Sequence, residues 1–140
     1  MNAEEILRTY IESFARADLD ALATLYATTT SYRQPMAPTA LTTPSEVKEF
    51  ESGMFALFDD VNVETVWLVA DEAQAAAGVV VRARQTGDLP TPDGVIPAKG
   101  ARIALEICDH IRVDANGKIV DHQRYSDVAG FIAQLTADPG

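Results

Sequence analysis

Basic residues are scarce in this chain. Lysine and arginine together number 11 in 140 residues, against 21 aspartates and glutamates, so the net charge is −10. A nucleic-acid-binding protein needs a basic surface to neutralise phosphates, and no basic cluster is present along this sequence. No apolar run reaches the roughly 20 residues that cross a bilayer, and the acidic N-terminus lacks a signal-peptide pattern. We therefore expect a cytoplasmic protein whose partners include neither nucleic acid nor a membrane.

Cysteine and histidine are also rare, with one Cys and two His in the chain. A single cysteine excludes an intrachain disulfide, and these three residues cannot supply a Cys/His metal cluster. We expect Cys108 to be a small buried hydrophobic residue on a central strand rather than a nucleophile. The sequence therefore predicts no metal site.

The overall composition is that of an ordinary globular protein, with 47% hydrophobic and 23% charged residues. A chain of 140 residues is long enough to build one hydrophobic core but too short for two. We therefore expect a single domain that spans residues 1–140.

The first third of the chain carries three helix-start signals. Asn2, Asp18 and Thr43 are suited to the N-cap position, and Thr43 is followed by a proline and then by an acid at the third position. Apolar residues follow each of these caps, with Leu19, Leu22 and Tyr26 facing inward after Asp18. The predicted stripes comprise Ile6, Tyr10 and Phe14 on the first helix, and Val47, Phe50, Met54 and Phe58 on the third.

The hydrophobic period changes to two from Val61 onward, which predicts strands. Val61, Val63, Trp67 and Val69 would share one face of the first strand, a second strand covers about residues 77–86, and a hairpin follows. Residues 87–100 contain three prolines and three glycines, too many for a strand, and we expect a loop that covers a cavity. Phe131, Ile132 and Leu135 suggest a short closing helix.

Helices followed by antiparallel strands define an α+β arrangement. We expect a strongly curved antiparallel sheet that forms a cone, with the three N-terminal helices enclosing an apolar cavity. Cavities of this kind are default binding sites for small hydrophobic molecules.

Asp109 is the only charged residue on an otherwise aliphatic strand face, which it shares with Ile103, Leu105, Ile107, Ile111 and Val113. The dipeptide Asn116-Gly117 predicts a two-residue type I′ turn, in which both central residues have positive φ. Opposed residues then have numbers that sum to 233, so Val113 faces Val120. The same register predicts these further pairs on one face: Ile111 with His122, and Asp109 with Arg124.

This register leaves the state of Asp109 open. Burial among aliphatic side chains raises a carboxyl pKa and would make Asp109 a neutral donor, whereas Arg124 would lower the pKa and keep the ion. Arg124 in turn either binds a substrate carboxylate or enolate, or simply neutralises Asp109. His122 is either an acid–base group at neutral pH or a hydrogen-bonded wall residue.

Several segments together resemble the nuclear transport factor 2-like superfamily, which includes ketosteroid isomerase, limonene epoxide hydrolase and the SnoaL-like polyketide cyclases. The segment from Tyr10 to Pro35 and the segments 107–112 and 116–120 resemble ketosteroid isomerase. Asp127, Gly130 and Gln134-Leu135 resemble the cyclases. The resemblance covers nearly the whole chain and implies the cone fold.

The resemblance also implies site residues. Tyr10 and Asp109 fall on the two oxyanion-hole donors of the isomerase, whereas Gln34 stands where the isomerase has its general base. Arg124 stands where the cyclases and the epoxide hydrolase have an aspartate on the last strand. Both acid–base positions of the relatives are therefore occupied by residues that cannot act as a base at neutral pH.

Two functions from different classes follow. The first is a cofactor-independent isomerase, cyclase or dehydratase that stabilises an enolate or oxyanion on a hydrophobic carbonyl compound, polyketide- or steroid-like. Its catalytic residues would be Tyr10, Asp109, His122 and Arg124, and its substrate-binding residues Gln34, Tyr32, Trp67 and Phe58. The second is a small-molecule-binding domain without chemistry. Epoxide hydrolysis, with water held by Gln34, is a further alternative.

The resemblance also implies a homodimer, formed through the outer face of the sheet.

Overall fold

The computed structural model describes residues 1–137, which contain four α-helices and seven β-strands. In chain order these are α1 (Ala3–Ala15), α2 (Leu19–Ala23), β1 (Tyr32–Arg33), α3 (Pro44–Phe55), β2 (Phe58–Ala70), β3 (Gln74–Gln85), β4 (Leu89–Thr91), β5 (Gly94–Ile96), β6 (Arg102–Val113), β7 (Ile119–Ser126) and α4 (Val128–Thr136). None of the helices in this part of the chain has the length and apolar character needed to cross a membrane.

The main sheet has the strand order β1-β7-β6-β3-β2. The four long strands pair antiparallel, and the two-residue strand β1 adds a short parallel edge next to β7. Helices α1 to α3 contribute buried residues to the core on the inner face of this sheet, among them Leu7, Leu22 and Val47. The α+β class and the curved antiparallel sheet predicted from the sequence are therefore confirmed.

The N-caps predicted for the first three helices are also present. The side chains of Asn2, Asp18 and Thr43 accept hydrogen bonds from backbone N–H groups three residues later, at 2.9, 3.1 and 3.2 Å. The predicted stripe of the third helix extends three residues too far, however, because it includes Phe58. Helix α3 ends at Phe55, and Phe58 begins strand β2 instead.

The hairpin between β6 and β7 has the predicted register but a different turn. Asp109 pairs with Arg124, but of the turn dipeptide only Gly117 has a positive φ, 72°. The N–H of Gly117 donates to the carbonyl of Asp114 at 3.0 Å, so the turn begins earlier than predicted. Val113 consequently pairs with Ile119, and a bulge that leaves Val120 unpaired restores the expected alignment.

Residues 87–100 do not form the predicted loop over the cavity. They contain the two-stranded ribbon of β4 and β5, which buries Leu89 and Ile96 against Phe131 and Leu135 of α4. The amide of Gln85 also donates to two carbonyls within this segment. A short two-stranded ribbon tolerates proline because its outer edges need no ladder hydrogen bonds, so the proline count does not exclude strands here.

Strand β2 changes face partway along its length. Its pairing with β3 is regular at Val63 but shifts between Thr65 and Trp67, which is the signature of a β-bulge. The bulge inverts the alternation, so Leu68 packs against the core while Trp67 is 45% exposed on the outer face. The predicted position of Trp67 in the cavity is therefore wrong.

The outer face of the sheet carries an apolar row across four strands. Trp67 pairs with Gly78, Gly78 with Cys108, and Cys108 with Tyr125, so these positions lie side by side. The indole of Trp67 occupies the space that a Cβ at Gly78 would need. Cys108 is only half-buried, and burial raises the pKa of its thiol, which disfavours the reactive thiolate.

Candidate active site

A cavity lies between helices α1 and α3 and the inner face of the sheet, and it encloses about 100 Å³. Most of its wall is apolar and includes Phe14, Met54, Phe58, Val81, Leu105 and Phe131. Four polar side chains join this wall: Gln34, Glu51, Arg124 and Ser126. The apolar cavity predicted from the sequence is therefore present, with Phe58 and Gln34 on its wall as expected.

Arg124 presents its guanidinium to the cavity from strand β7. Its Nε donates to Asp109 Oδ1 at 2.9 Å, and its Nη2 donates to the Tyr10 hydroxyl at 3.0 Å. The guanidinium carbon lies 5.2 Å from the ring centre of Phe14, within cation–π range. Glu51 Oε1 lies 3.6 Å from Nη1 of the same guanidinium. These contacts hold a positive charge in a fixed orientation at the cavity wall.

Asp109 is an ionised carboxylate. Burial by itself raises the pKa of Asp109, but Arg124 and His122 outweigh burial and hold the pKa below its usual range. A carboxylate that accepts hydrogen bonds from both neighbours has no proton to donate. The donor role that the resemblance implies for Asp109 therefore does not fit this geometry, which is that of an ion pair with Arg124.

His122 lies behind Asp109 with no exposed surface. Burial lowers the pKa of His122, so its ring is neutral. Its Nε2–H donates to Asp109 Oδ1 at 2.7 Å, and its Nδ1 accepts from the Tyr26 hydroxyl at 2.7 Å, which is the tautomer that a carboxylate partner requires. The ring also stacks on Tyr32 at 4.1 Å. Both nitrogens are occupied, so His122 has no free position for proton transfer to a ligand.

Tyr10 and Tyr32 are buried next to this network rather than at the cavity wall. Tyr10 is 1% exposed, and burial raises the pKa of its hydroxyl, which accepts from Arg124. The Tyr32 hydroxyl donates to Glu51 Oε1 at 3.0 Å. Tyr10, Tyr32, Asp109 and His122 are all absent from the cavity wall of the described chain, so of the four predicted catalytic residues only Arg124 reaches it.

Glu51 is a site residue that the sequence prediction misses. It is 2% exposed and lies on α3 four residues after Val47 and three before Met54, in the middle of the apolar stripe. Burial raises the pKa of Glu51, while Arg124 and the hydrogen bond from Tyr32 oppose that rise. A carboxyl group at a stripe position is the signal in the sequence that identifies it.

Gln34 carries an unused donor. Its Oε1 accepts from the backbone N–H of Met36 at 2.8 Å, which fixes the orientation of the amide. Its Nε2 is buried and has no hydrogen-bond partner within residues 1–137. A buried donor without a partner is costly, so a ligand with an acceptor atom would satisfy it. Across the same residues, no three His, Cys, Asp or Glu side chains are grouped in a way that could hold a metal ion.

The fold and the cavity define a class of protein, the cone-shaped α+β domains with a ketosteroid isomerase-like fold. Within this class the chain belongs to the SnoaL-like domain family, whose model matches residues 7–122. No curated protein matches the chain.

Solved structures share the fold at low sequence identity. A candidate SnoaL-like polyketide cyclase from a Jannaschia species has a TM-score of 0.82 at 12% identity, with 96% of this chain and 92% of that chain covered. A protein of ketosteroid isomerase-like fold from Catenulispora acidiphila, in complex with trimethylamine, has a TM-score of 0.77 at 17% identity, with 97% and 95% covered. An epoxide hydrolase resembling limonene epoxide hydrolase, from M. tuberculosis, has a TM-score of 0.70 at 14% identity, with 94% and 87% covered.

Proposed function

We propose that the protein is a cofactor-independent enzyme that stabilises an enolate or oxyanion on a small hydrophobic carbonyl compound. The observation that carries this proposal is that Arg124 and Gln34, whose Nε2 has no partner within residues 1–137, both belong to a mostly apolar cavity wall. A fixed charge and a fixed donor in a site of low dielectric stabilise negative charge that develops on oxygen. Isomerisation, dehydration and aldol-type cyclisation all pass through such an oxygen.

The buried network serves to position Arg124. Tyr26, His122, Asp109 and Arg124 are linked in that order by hydrogen bonds of 2.7, 2.7 and 2.9 Å. Tyr10 supports the guanidinium from the other side. In this proposal these residues are positioning residues that keep the donor aligned before the substrate arrives, which lowers the reorganisation needed during reaction.

The cavity volume restricts the substrate. The cavity encloses about 100 Å³, and an apolar cavity of about 150 Å³ is known to hold benzene. This cavity is smaller, so only part of a ring fits inside, and the remainder of the substrate would extend from the opening.

4-Nitrophenol tests the proposal, because it is a one-ring phenol whose anion has its own absorption band. We expect it to bind and, once bound, to ionise at a lower pH in the wild-type protein than in Gln34→Leu. The Gln34→Leu change removes a hydrogen bond to a charged oxygen, worth about 1.5 to 3 kcal/mol, so affinity for the anion falls by roughly tenfold or more. Gln123→Leu, an amide outside the cavity wall, is the matched control and leaves ionisation unchanged. Equal ionisation in wild type and Gln34→Leu would contradict the proposal.

A binding domain without chemistry is the second candidate, and the sealed network favours it, because Asp109 and His122 have no access to a ligand. Such a domain would bind 4-nitrophenol but would exchange no protons with a ketone. Epoxide opening through Asp109 lacks a comparable observation, because that carboxylate is engaged by His122 and Arg124.

We also propose that the protein forms a homodimer through the outer sheet face. The apolar row described above includes Trp67, 45% exposed, and Tyr125, 60% exposed, and aromatic residues are enriched at such interfaces. We expect sedimentation equilibrium to give a dimer mass for the wild type and a monomer mass for Tyr125→Glu. Val95→Glu, at a similarly exposed apolar residue on β5, is the control and remains a dimer. A monomer mass for the wild type would reject the dimer.

A further inference from the structure

Glu51 is a carboxyl group on the cavity wall with one oxygen unused. Both the hydrogen bond from Tyr32 and the contact with Arg124 fall on Oε1, so Oε2 has no partner among the described residues. Asp109 and His122 are sealed behind Arg124, and a guanidinium does not act as a base. Among the polar residues of the wall, Glu51 is therefore the side chain with suitable acid–base chemistry.

We propose that Glu51 takes and returns the proton on a small cyclic ketone, at the carbon next to the carbonyl. This assignment rests on the proposed function, because the carbonyl oxygen must be held by Arg124 and Gln34. Oε2 of Glu51 removes the proton, the electron pair of the C–H bond forms a carbon–carbon double bond, and the carbonyl oxygen becomes the enolate oxygen. Glu51 exchanges this proton with solvent and returns a proton to the same carbon, which restores the ketone, so no oxidant, reductant or cofactor is consumed.

The surroundings of Glu51 suit this role. Burial raises the pKa of Glu51, and it does so against two opposing contacts, Arg124 on β7 and the Tyr32 hydroxyl on β1. Asp109 on β6 adds to the rise through its negative charge. The buried hydroxyl of Tyr10 on α1 also faces this group. A base whose pKa is shifted toward the working pH combines an ionised fraction with greater proton affinity.

Deuterium uptake by cyclohexanone in D2O, followed by proton NMR, tests the assignment directly. We expect the wild-type protein to accelerate uptake at the carbons beside the carbonyl, and Glu51→Gln to lower that rate on the order of 100-fold or more. Glu51→Gln keeps the shape of the side chain and its acceptor for Tyr32, and we expect it to bind 4-nitrophenol at least as tightly as the wild type does, because it removes a negative charge from the cavity wall.

Tyr32→Phe is the matched variant, because it removes the hydrogen bond that lowers the pKa of Glu51 but keeps the carboxyl group. We expect it to retain exchange, with the rising limb of the pH–rate profile moved to higher pH. A purely structural role for Glu51 would not move that limb. This second variant also keeps the assignment falsifiable if Glu51→Gln fails to fold.

The outcomes separate the two proposals. Exchange that survives Glu51→Gln, or a pH profile that Tyr32→Phe leaves in place, overturns the role of Glu51. Absence of exchange in a wild-type protein that binds and ionises 4-nitrophenol overturns Glu51 but leaves oxyanion binding intact. Failure to bind 4-nitrophenol overturns the proposed function, and the assignment of Glu51 with it.

Discussion

Replacement of Arg124 by methionine is expected to lower the free energy of unfolding by about 3 to 5 kcal/mol. Methionine fills a similar volume, but it leaves the carboxylate of Asp109, which is 2% exposed, without its cationic partner. The cost of a buried unpaired charge exceeds the modest gain that the ion pair itself provides. Urea unfolding, analysed with a common slope for all variants, measures the difference.

A double-mutant cycle tests the cause of this loss. We expect Asp109→Leu combined with Arg124→Met to be more stable than the sum of the single changes, with a coupling of roughly 1 to 3 kcal/mol. Arg84→Met is the control, because Arg84 also binds a carboxylate through two nitrogens, at 2.9 and 2.6 Å from Asp59, but at the protein surface. Its loss should cost far less than that of Arg124, because both partners of this pair are exposed to solvent, which screens their attraction. Additive effects of the Asp109 and Arg124 changes would contradict a closed ion pair.

The same variants decide whether the ion pair has a function. Under the proposal, Arg124→Met also lowers the affinity for the 4-nitrophenol anion, because the guanidinium lies on the cavity wall. Strong coupling in stability together with unchanged ligand binding would make Arg124 and Asp109 a structural pair only.

Replacement of His122 by leucine is expected to cost roughly 2 to 4 kcal/mol, because two buried groups each lose a hydrogen bond. These groups are the Asp109 carboxylate and the Tyr26 hydroxyl. We expect Tyr26→Phe to lower the free energy of unfolding by less than His122→Leu does. In the His122→Leu protein, where the hydroxyl has already lost its acceptor, we expect Tyr26→Phe to lower it by less still. Urea unfolding at pH 7 provides the comparison, and equal costs of Tyr26→Phe in both backgrounds would show that the hydrogen bond contributes nothing.

His122 also gives stability a pH dependence. Burial lowers the pKa of His122 in the folded protein. Near pH 6.5, the pKa of histidine in the unfolded chain, the unfolded state therefore binds more protons than the folded state does. Stability therefore falls as the pH decreases below about 6.5, and His122→Leu should remove this part of the slope. Glu51 acts in the opposite direction: because its pKa is raised in the folded protein, the folded state binds more protons than the unfolded state above pH 4.5. Measurements in a Glu51→Gln background isolate the contribution of His122.

The central pairing of the site can be predicted from the sequence, although its turn cannot. Asn116-Gly117 identifies the hairpin, and the strand period then aligns Asp109 with Arg124. The predicted turn type is wrong, but the bulge at Val120 compensates for the earlier turn, so the register holds. Whether Asp109 is neutral or ionised cannot be predicted in this way, because it depends on a hydrogen-bond geometry that strand periodicity does not contain.

The other differences have local causes. The alternation of β2 places Trp67 inward only if the strand is regular, and bulges follow from cross-strand packing that one strand does not reveal. Glu51 is different, because its position on the stripe of α3 is visible in the sequence. The sequence prediction misses Glu51 because charged residues are expected to face solvent.

The ion pair of Arg124 and Asp109 also has a consequence for ligand selection. Because the positive charge of the Arg124 guanidinium lies next to the negative charge of the Asp109 carboxylate, the pair carries almost no net charge. A permanently anionic molecule, such as a free carboxylic acid at neutral pH, would lose its hydration without full electrostatic compensation, and Glu51 would repel it further when ionised. A neutral ketone pays no such penalty on entry and gains the directed hydrogen bonds as its oxygen becomes negative. The cavity therefore favours molecules that enter neutral and become negatively charged during the reaction over molecules that are already charged on entry.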